Sequence, residues 1–393
     1  MDDVNKGSSQ PETPVWKSGY DHSDSLDELG GKLSPSQKIE HIHALLKAKC
    51  SFIDRVAVVL YDPASDILKT YLQSPVNDLP VQFYQTRLAE CHSLQEMMAQ
   101  KKPRVVQDME MLNKDAKTHT RKILNKGFRS SYTKPLYSED QFFGFIFVNS
   151  FQPNLFSKVL LDLIDPLLQL LSLSINHSLR SVKTLHAALR TTQMIAHHRD
   201  PETGSHLERM ARYSRLIARI VAPQFDRDDE YVESVFLFAP IHDIGKIVVS
   251  DTILFKPGRL TSEEYALMKE HTVKGTEMAE MIVENFNIEG LPHIEIMMNV
   301  VRYHHEAIDG SGYPDGLKGE AIPLEARIVA VADVFDALTS QRPYKLAWST
   351  AVAVNELKRL SGKTLDPRCV SALIDNLDEV AQIQQMFEEE CLI

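Results

Sequence analysis

A histidine and an aspartate stand side by side at His242-Asp243, after an apolar run ending in Ile241 and before Ile244-Gly245-Lys246. Adjacent side chains on a helix point about 100° apart, so these two act together only on a charge lying across their shared edge, such as a metal ion. Alone, the dipeptide reads more readily as a surface pair or a helix end. The chain supplies further groups of the same kind. Glu202 and His206 are four apart and share a helical face; His271, adjacent His304 and His305, and Asp333 follow. Asp333 is a carboxylate within the apolar run Ile328-Val329-Ala330-Val331-Ala332-Asp333-Val334-Phe335, where a buried charge needs a cation or a hydrogen-bonding partner. Each residue singly has an ordinary reading, as a core histidine or a solvated acid. Eight of them over five helical segments are hard to obtain by chance.

The segments His242 to Lys246, His304 to Pro314 and Ala332 to Lys345 resemble, in this order, the HD-GYP family of bacterial cyclic-dinucleotide phosphodiesterases, a subgroup of the HD metal-dependent phosphohydrolases. The resemblance covers residues 195 to 378 and includes Gly312-Tyr313-Pro314 unaltered. It implies that His206, His242, Asp243, His271, His304, His305 and Asp333 ligate metal, with Asp243 bridging two ions. Glu202 goes with a version of the site that holds a third. Phosphate contacts are implied for Lys246, Arg342 and Lys345, and a loop near the substrate for Asp309 to Pro314, whose Tyr313 either stacks on a base or locks the loop. The resemblance also implies partner-protein contacts at this loop, and it makes a GGDEF-type diguanylate cyclase a candidate partner. The implied reaction opens cyclic di-GMP to pGpG and/or GMP. Hybrid 3′,3′-cyclic GMP-AMP is the alternative substrate, and no readable motif separates the two. A non-catalytic receptor is disfavoured because all the motif positions match.

The residue types fit this chemistry independently. Imidazole and carboxylate without thiolate suit iron, manganese, nickel or zinc, with iron or manganese the leading expectation. Two ions about 3.5–4 Å apart can share a water, lower its pKa from about 16 to about 7 and clamp phosphoryl oxygens. Three carboxylates against two or three divalent ions leave an excess positive charge that a phosphodiester and a hydroxide bring within one unit of neutral, so both nuclearities are admissible. Lys246, three residues after Asp243, lies one turn on if the helix continues, and can face a phosphate. Arg342 offers a planar fork and Lys345 a point charge.

The elements that must position these groups follow from the rest of the chain. Its 393 residues suggest two or three domains. A net charge of -11 argues against a broad hold on a nucleic-acid backbone, so DNA is not an expected partner. Cys50, Cys91, Cys369 and Cys391 lie far apart and suggest neither a disulfide framework nor a zinc ribbon. The N-terminus lacks the regions of a secretory signal. Leu155 to Ile175 is interrupted by Lys158, Asp162, Asp165 and Pro166, a poor membrane span. The expectation is a cytoplasmic protein of α+β class: a disordered lead over 1–34, a mixed α/β domain over 35–163, a linker helix over 164–198, and an all-α HD-GYP bundle over 199–393. In the second segment, Ser36 to Lys49 reads as a helix, and Arg55 to Tyr61, Ile67 to Leu72 and Phe142 to Asn149 as strands. Ser130 to Leu136, Phe143 to Val148 and Phe156-Ser157 resemble the later strands and last helix of a GAF sensory domain.

Asp165-Pro166 reads as the cap and first residue of the linker helix. Leu168, Leu171, Ile175, Ser178, Val182, Leu185, Leu189, Thr192 and Ala196 then alternate spacings of three and four. That is a heptad seam, expected to form a parallel homodimer, although one helix packed on its own domain shows a similar stripe. Beyond it, apolar periodicity predicts helices over Arg209–Val221, Tyr231–Ile241, Glu263–Asn285, Ile294–Tyr303, Leu324–Ser340, Ser349–Leu360 and Pro367–Leu377. Thr261 and Glu264 have capping-box spacing.

Overall fold

A computed structural model describes residues 33–75, 83–112, 126–196, 204–286, 293–340 and 347–387, together with Leu26 and Leu29. The predicted disordered lead lies almost wholly outside them. Helix α1 (Pro35–Lys49) begins where the sequence offers a capping box, the Ser34 hydroxyl accepting from Gln37 N and the Gln37 side chain accepting from Ser34 N. Six strands follow: β1 (Arg55–Asp62), β2 (Ile67–Ser74), β3 (Gln85–Arg87), β4 (Arg104–Val106), β5 (Ser130–Ser138) and β6 (Gln141–Ser150), with helix α2 (His92–Gln100) between β3 and β4. They form one antiparallel sheet in the order β3-β2-β1-β6-β5-β4. Side chains alternate faces along a strand. Val56, Val58, Ile146 and Val148 therefore join a core with α1, while Val59, Phe145 and Phe147 join a second with Leu94 and Met97 of α2.

Helix α3 (Lys158–Ala196) corrects two expectations. Asp165-Pro166 does not begin it. Ser157 stands at the start, its hydroxyl accepting from Leu160 N at 3.3 Å and its carbonyl from Leu161 N at 3.0 Å, and Pro166 lies inside the helix. The Asp165 carboxylate instead accepts from Tyr132 Oη at 2.7 Å and Lys134 Nζ at 3.3 Å, tying the helix to β5. Nor is the seam free for a partner chain in its described part. Leu168, Leu171 and Ile175 are at most 1% exposed in the core shared with α1 and the sheet, and Val182 is packed in the core of the helical half. The side chains of Leu185, Leu189, Thr192 and Ala196 lie outside the described residues. By length and composition alone, Lys158–Val182 could cross a membrane. Its apolar character is accounted for by the buried row and by a second, outward row of Val159, Leu163, Leu170 and Leu173.

The second half is built on α4 (Gly204–Val221), α5 (Asp229–Phe238), α6 (Ser262–Phe286), α7 (Ile294–Tyr303), α8 (Leu324–Thr339), α9 (Thr350–Leu360), α10 (Pro367–Ile374) and α11 (Leu377–Met386). The capping box at α6 forms as its spacing predicts, with Glu264 N donating to Thr261 Oγ1 and Thr261 N to Glu264 Oε2. The predicted Pro367–Leu377 helix ends at Ile374, where the Asn376 side chain donates to Ala372 O at 2.9 Å. Helix α11, with only Val380 and Ile383 buried, carries too sparse a stripe to stand out. Met210, Tyr213 and Ile217 of α4 meet Val300 of α7 and Ile328, Val331 and Phe335 of α8 in one core.

The halves meet through polar groups. Buried Lys69 of β2 pairs with Glu233 of α5. The Asp229 carboxylate accepts from Thr70 Oγ1 at 2.7 Å and from Phe83 N at 2.9 Å, and burial pushes its pKa up to about 7.

If the seam belongs to the chain's own core, Leu171→Ala should cost about 2–5 kcal/mol, whereas Val352→Ala, at an exposed position of α9, should stay within about 0.5 kcal/mol. Urea unfolding of the two variants checks this; equal losses would mean that the buried row is not a core row.

Candidate metal centre

Helix α5 stops before the histidine-aspartate pair. A 3₁₀ turn over Ala239–Ile241 leads to His242, and a second 3₁₀ segment over Ile244–Val248 starts at Asp243. The turn lets two adjacent side chains converge, and it changes the position of Lys246. In a 3₁₀ helix residues three apart eclipse, so Lys246 Nζ lies 2.6 Å from Asp243 Oδ2 without the continuous α-helix expected from sequence.

This segment packs directly on α6. A Cβ on Gly245 would fall 1.8 Å from His271 O and 2.6 Å from Gly275 N, and one on Gly275 would fall 2.8 Å from Val301 Cγ1. Glycine at both positions lets the backbones touch and brings His271 to Asp243. The end of α7 adds His304 and His305.

Two groups of potential ligand atoms result, the atoms of each lying within 4.8 Å of one another: Asp243, His271, His304 and His305, and His206, His242 and Asp333. One carboxylate faces both. Asp243 Oδ1 is 3.3 Å from His271 Nε2 and 3.7 Å from His304 Nε2, while Oδ2 is 3.0 Å from His242 Nε2. Asp333 Oδ1 lies 3.9 Å from His242 Nε2.

The histidines are oriented from behind. His242 Nδ1 lies 3.0 Å from Ala239 O, His271 Nδ1 2.8 Å from Met268 O, and His304 Nδ1 2.9 Å from Val300 O. A carbonyl only accepts, so each Nδ1 carries the proton and each Nε2 presents a lone pair to the cluster. For His206 the acceptor is Asp336 Oδ2 at 2.7 Å. Burial holds His271 down to about 4, against the pull of Asp243, and holds His305 well below the ordinary range, so both are neutral at pH 7. Burial raises the Asp243 pKa, but the neighbouring Lys246 ammonium helps hold the carboxyl well below the usual carboxylate range.

Among the described residues, Asp243 Oδ1, His271 Nε2 and His304 Nε2 are buried without a hydrogen-bond partner. Such atoms are costly unless something satisfies them, and lone pairs converging on one point fit a cation. The donor set fits a divalent transition metal. His242, His271 and His304 form a floor at most 1% exposed in their side chains, while Asp333 at 22% and Lys246 at 18% mark the open side.

Sequence reasoning missed two carboxylates here. Asp336 is wholly buried, one turn after Asp333, and also accepts from Arg209 Nε at 2.7 Å, Arg209 Nη2 at 3.1 Å and Ser340 Oγ at 2.8 Å. Burial raises its pKa, but the bonds from His206 and Arg209 outweigh this and hold it down to about 2. The signal that singled out Asp333, an acid in an apolar helical run, extends to Asp336 between Val334-Phe335 and Ala337-Leu338. Buried Glu306 accepts from Asp315 N, Gly316 N and Leu317 N at 2.7, 3.0 and 2.9 Å, fixing the loop after His305. In that loop Tyr313 stacks on His305, centroids 4.7 Å apart and planes 30° apart, so here it locks the loop over the cluster. Asp309 does not join the cluster. Its carboxylate holds Ser311 N at 2.9 Å and Ser311 Oγ at 2.6 Å. Glu202, Arg342 and Lys345 lie outside the described residues.

Residues 175–369 match the HD domain family. Over 190 residues, 48% of this chain and 47% of the relative, the chain is 46% identical to the cyclic di-GMP phosphodiesterase response regulator RpfG of Xanthomonas campestris pv. campestris. It is 37% identical over 206 residues to a cyclic di-GMP phosphodiesterase of Thermotoga maritima, covering 52% of this chain and 53% of that one. It is 34% identical over 186 residues to 3'3'-cGAMP-specific phosphodiesterase 2 of Vibrio cholerae, covering 47% and 34%. The matches thus span about half or less of these relatives' lengths. A GAF domain/HD domain protein from Geobacter sulfurreducens is similar in structure at a TM-score of 0.31 and 18% identity, over 37% of this chain and 95% of that one.

Gly245→Ala should force the 3₁₀ segment away from α6, costing about 1–3 kcal/mol of stability and lowering manganese affinity at least about tenfold. Thermal unfolding and metal titration read the two effects; parent values in both would show that the close approach is not required.

Proposed function

We propose that this chain, whose residues 175–369 match the HD domain family, is a metal-dependent phosphodiesterase that hydrolyses a 3′–5′ phosphodiester of a cyclic dinucleotide, cyclic di-GMP first, to pGpG and/or GMP. The observation that carries the reading is the Asp243 carboxylate, each of whose oxygens faces a different group of buried imidazoles. In this reading His206, His242 and Asp333 would hold one divalent ion and His271, His304 and His305 a second, with Asp243 available to both. Glu202 serves a third ion where one is bound. Iron or manganese are the favoured metals, with nickel or zinc as alternatives.

When bound, such ions supply Lewis-acid activation of a water at neutral pH and offset phosphoryl charge. The protein's part is positional. Carbonyl-bound Nδ1–H groups keep the Nε2 lone pairs on the ligands. Ionised Asp243 supplies the shared anion. Lys246 Nζ, on the open side, reaches a phosphate oxygen and is placed to donate a proton to the leaving 3′ oxygen. Arg342 and Lys345 add phosphate contacts, and the Asp309 to Pro314 loop, held by Glu306 and Tyr313, bounds the substrate on the other side. Hybrid 3′,3′-cyclic GMP-AMP is the second reading, favoured by the likeness to a relative named for that substrate. A non-catalytic receptor ranks behind both.

The N-terminal sheet is a GAF-like sensory domain over 35–163, joined by the linker helix to the catalytic part over 199–393, in a cytoplasmic protein. A homodimer forms along α3, but on its outward row. Val159, Leu163, Leu170 and Leu173 are exposed and, with Pro166, keep the spacings of four and three of a helix–helix seam. A diguanylate cyclase docks on the Asp309 to Pro314 loop.

Protein loaded anaerobically with iron or manganese should hydrolyse cyclic di-GMP or 3′,3′-cyclic GMP-AMP, assayed side by side, with turnover falling about a thousandfold or more in Asp243→Ala. Binding of both nucleotides without cleavage would replace the enzyme by the receptor. Sedimentation at micromolar concentration should give a dimer that Leu170→Glu with Leu173→Glu converts to monomer, and an added cyclase should co-sediment. A monomeric parent protein would remove the dimer.

A further inference from the structure

Helix α4 carries Arg209, Arg212, Arg215 and Arg219 along one side. Residues three and four apart on a helix are neighbours, and a row of cations repels itself unless each member has its own partner. Two of them are buried, Arg209 at 6% and Arg212 at 7% exposure, and their partners come from opposite ends of the molecule. Arg209 forks onto Asp336, the acid that accepts from His206 Nδ1. Arg212 Nη2 donates to Asp62 Oδ2 of the N-terminal sheet at 3.0 Å. One residue joins the two arginines: the Phe387 carbonyl accepts from Arg209 Nη1 at 2.8 Å, and its ring lies 4.2 Å from the Arg212 guanidinium. Asp62 is itself fixed by its hairpin, accepting from Ala64 N at 3.1 Å and Ser65 Oγ at 2.6 Å. A further tie runs beside it, from Arg215 Nη1 to Gln85 Oε1 at 3.0 Å.

The geometry points to Asp62 as a positioning residue for the candidate metal centre: by holding Arg212 it fixes, through Phe387, Arg209 and Asp336, the direction in which His206 presents Nε2. The inference rests on the reading of His206 as a metal ligand. His206 and Arg212 lie six positions apart on the α-helix, about 9 Å along the axis, so the β1–β2 hairpin acts on the centre by a short path through α4 that does not use α3. A rearrangement of the sheet that moves this hairpin changes the seat of one metal-binding histidine and leaves the His271, His304 and His305 group in place.

The test is Asp62→Asn, which removes the charge and keeps the shape, in the full chain with ¹⁵N-labelled histidine. In metal-free protein the His206 imidazole signals, assigned from a His206→Gln spectrum, should shift while those of His271 and His304 stay. In a manganese titration one site should weaken about tenfold and the other remain. Arg212→Lys, which keeps the charge but not the fork, should reproduce both changes, and Asp62→Glu should restore the parent behaviour. Asp140→Asn, which breaks the exposed pair with Lys101 on the same domain, should do neither. Unmoved His206 signals in Asp62→Asn and Arg212→Lys, or equal weakening of both sites, would overturn the proposal. Shifted signals in a parent protein that binds no manganese would uphold the coupling and reject the metal reading instead.

Discussion

The helical half of this protein depends on the approach of the Asp243 carboxylate to imidazoles from several helices. That approach is possible only because the helix ends first. A continuous α-helix would point His242 and Asp243 about 100° apart; the 3₁₀ turns at Ala239–Ile241 and Ile244–Val248 let them share an edge and place Lys246 over Asp243. Gly245 and Gly275 then allow backbone contact with α6, which any side chain would prevent. The candidate centre is thus a consequence of two missing Cβ atoms and one interrupted helix.

Burial sets the protonation that such a centre requires. Desolvation keeps His271 and His305 neutral, and backbone carbonyls behind the rings choose the tautomer that leaves Nε2 open. The one described ligand candidate backed by a carboxylate, His206, has that carboxylate clamped by Arg209. Its geometry therefore depends on a charged network, whereas His242, His271 and His304 are each held by a backbone carbonyl three or four residues earlier. The difference makes His206 the adjustable member of the set.

The contact between the halves has the same character. Lys69, Glu233 and Arg212 are buried there, each against an opposite charge, and removing one partner strands the other; buried Asp229 is held instead by Thr70 Oγ1 and Phe83 N. An interface of this kind is specific in register and sensitive to small displacements, unlike a broad apolar one. It suits a sheet that reports on α4 and α5.

The sequence by itself determined the set of residues that could hold a metal, the order of the elements and most helix limits. Periodicity fixes Ile294–Tyr303, and the capping box the start at Ser262, because both are local. Tertiary structure decided what depends on which face is covered. The heptad row of α3 reads identically whether it meets a partner or its own sheet, and only the packing of Leu168, Leu171 and Ile175 against α1 and the strands tells which. Asp333 and Asp336 are alike on paper, one turn apart, yet the first opens toward the candidate site and the second is sealed against His206 and Arg209. The type of a residue is written in the chain; the partner that satisfies its charge arrives from a distant segment, and long-range contacts leave no periodic trace.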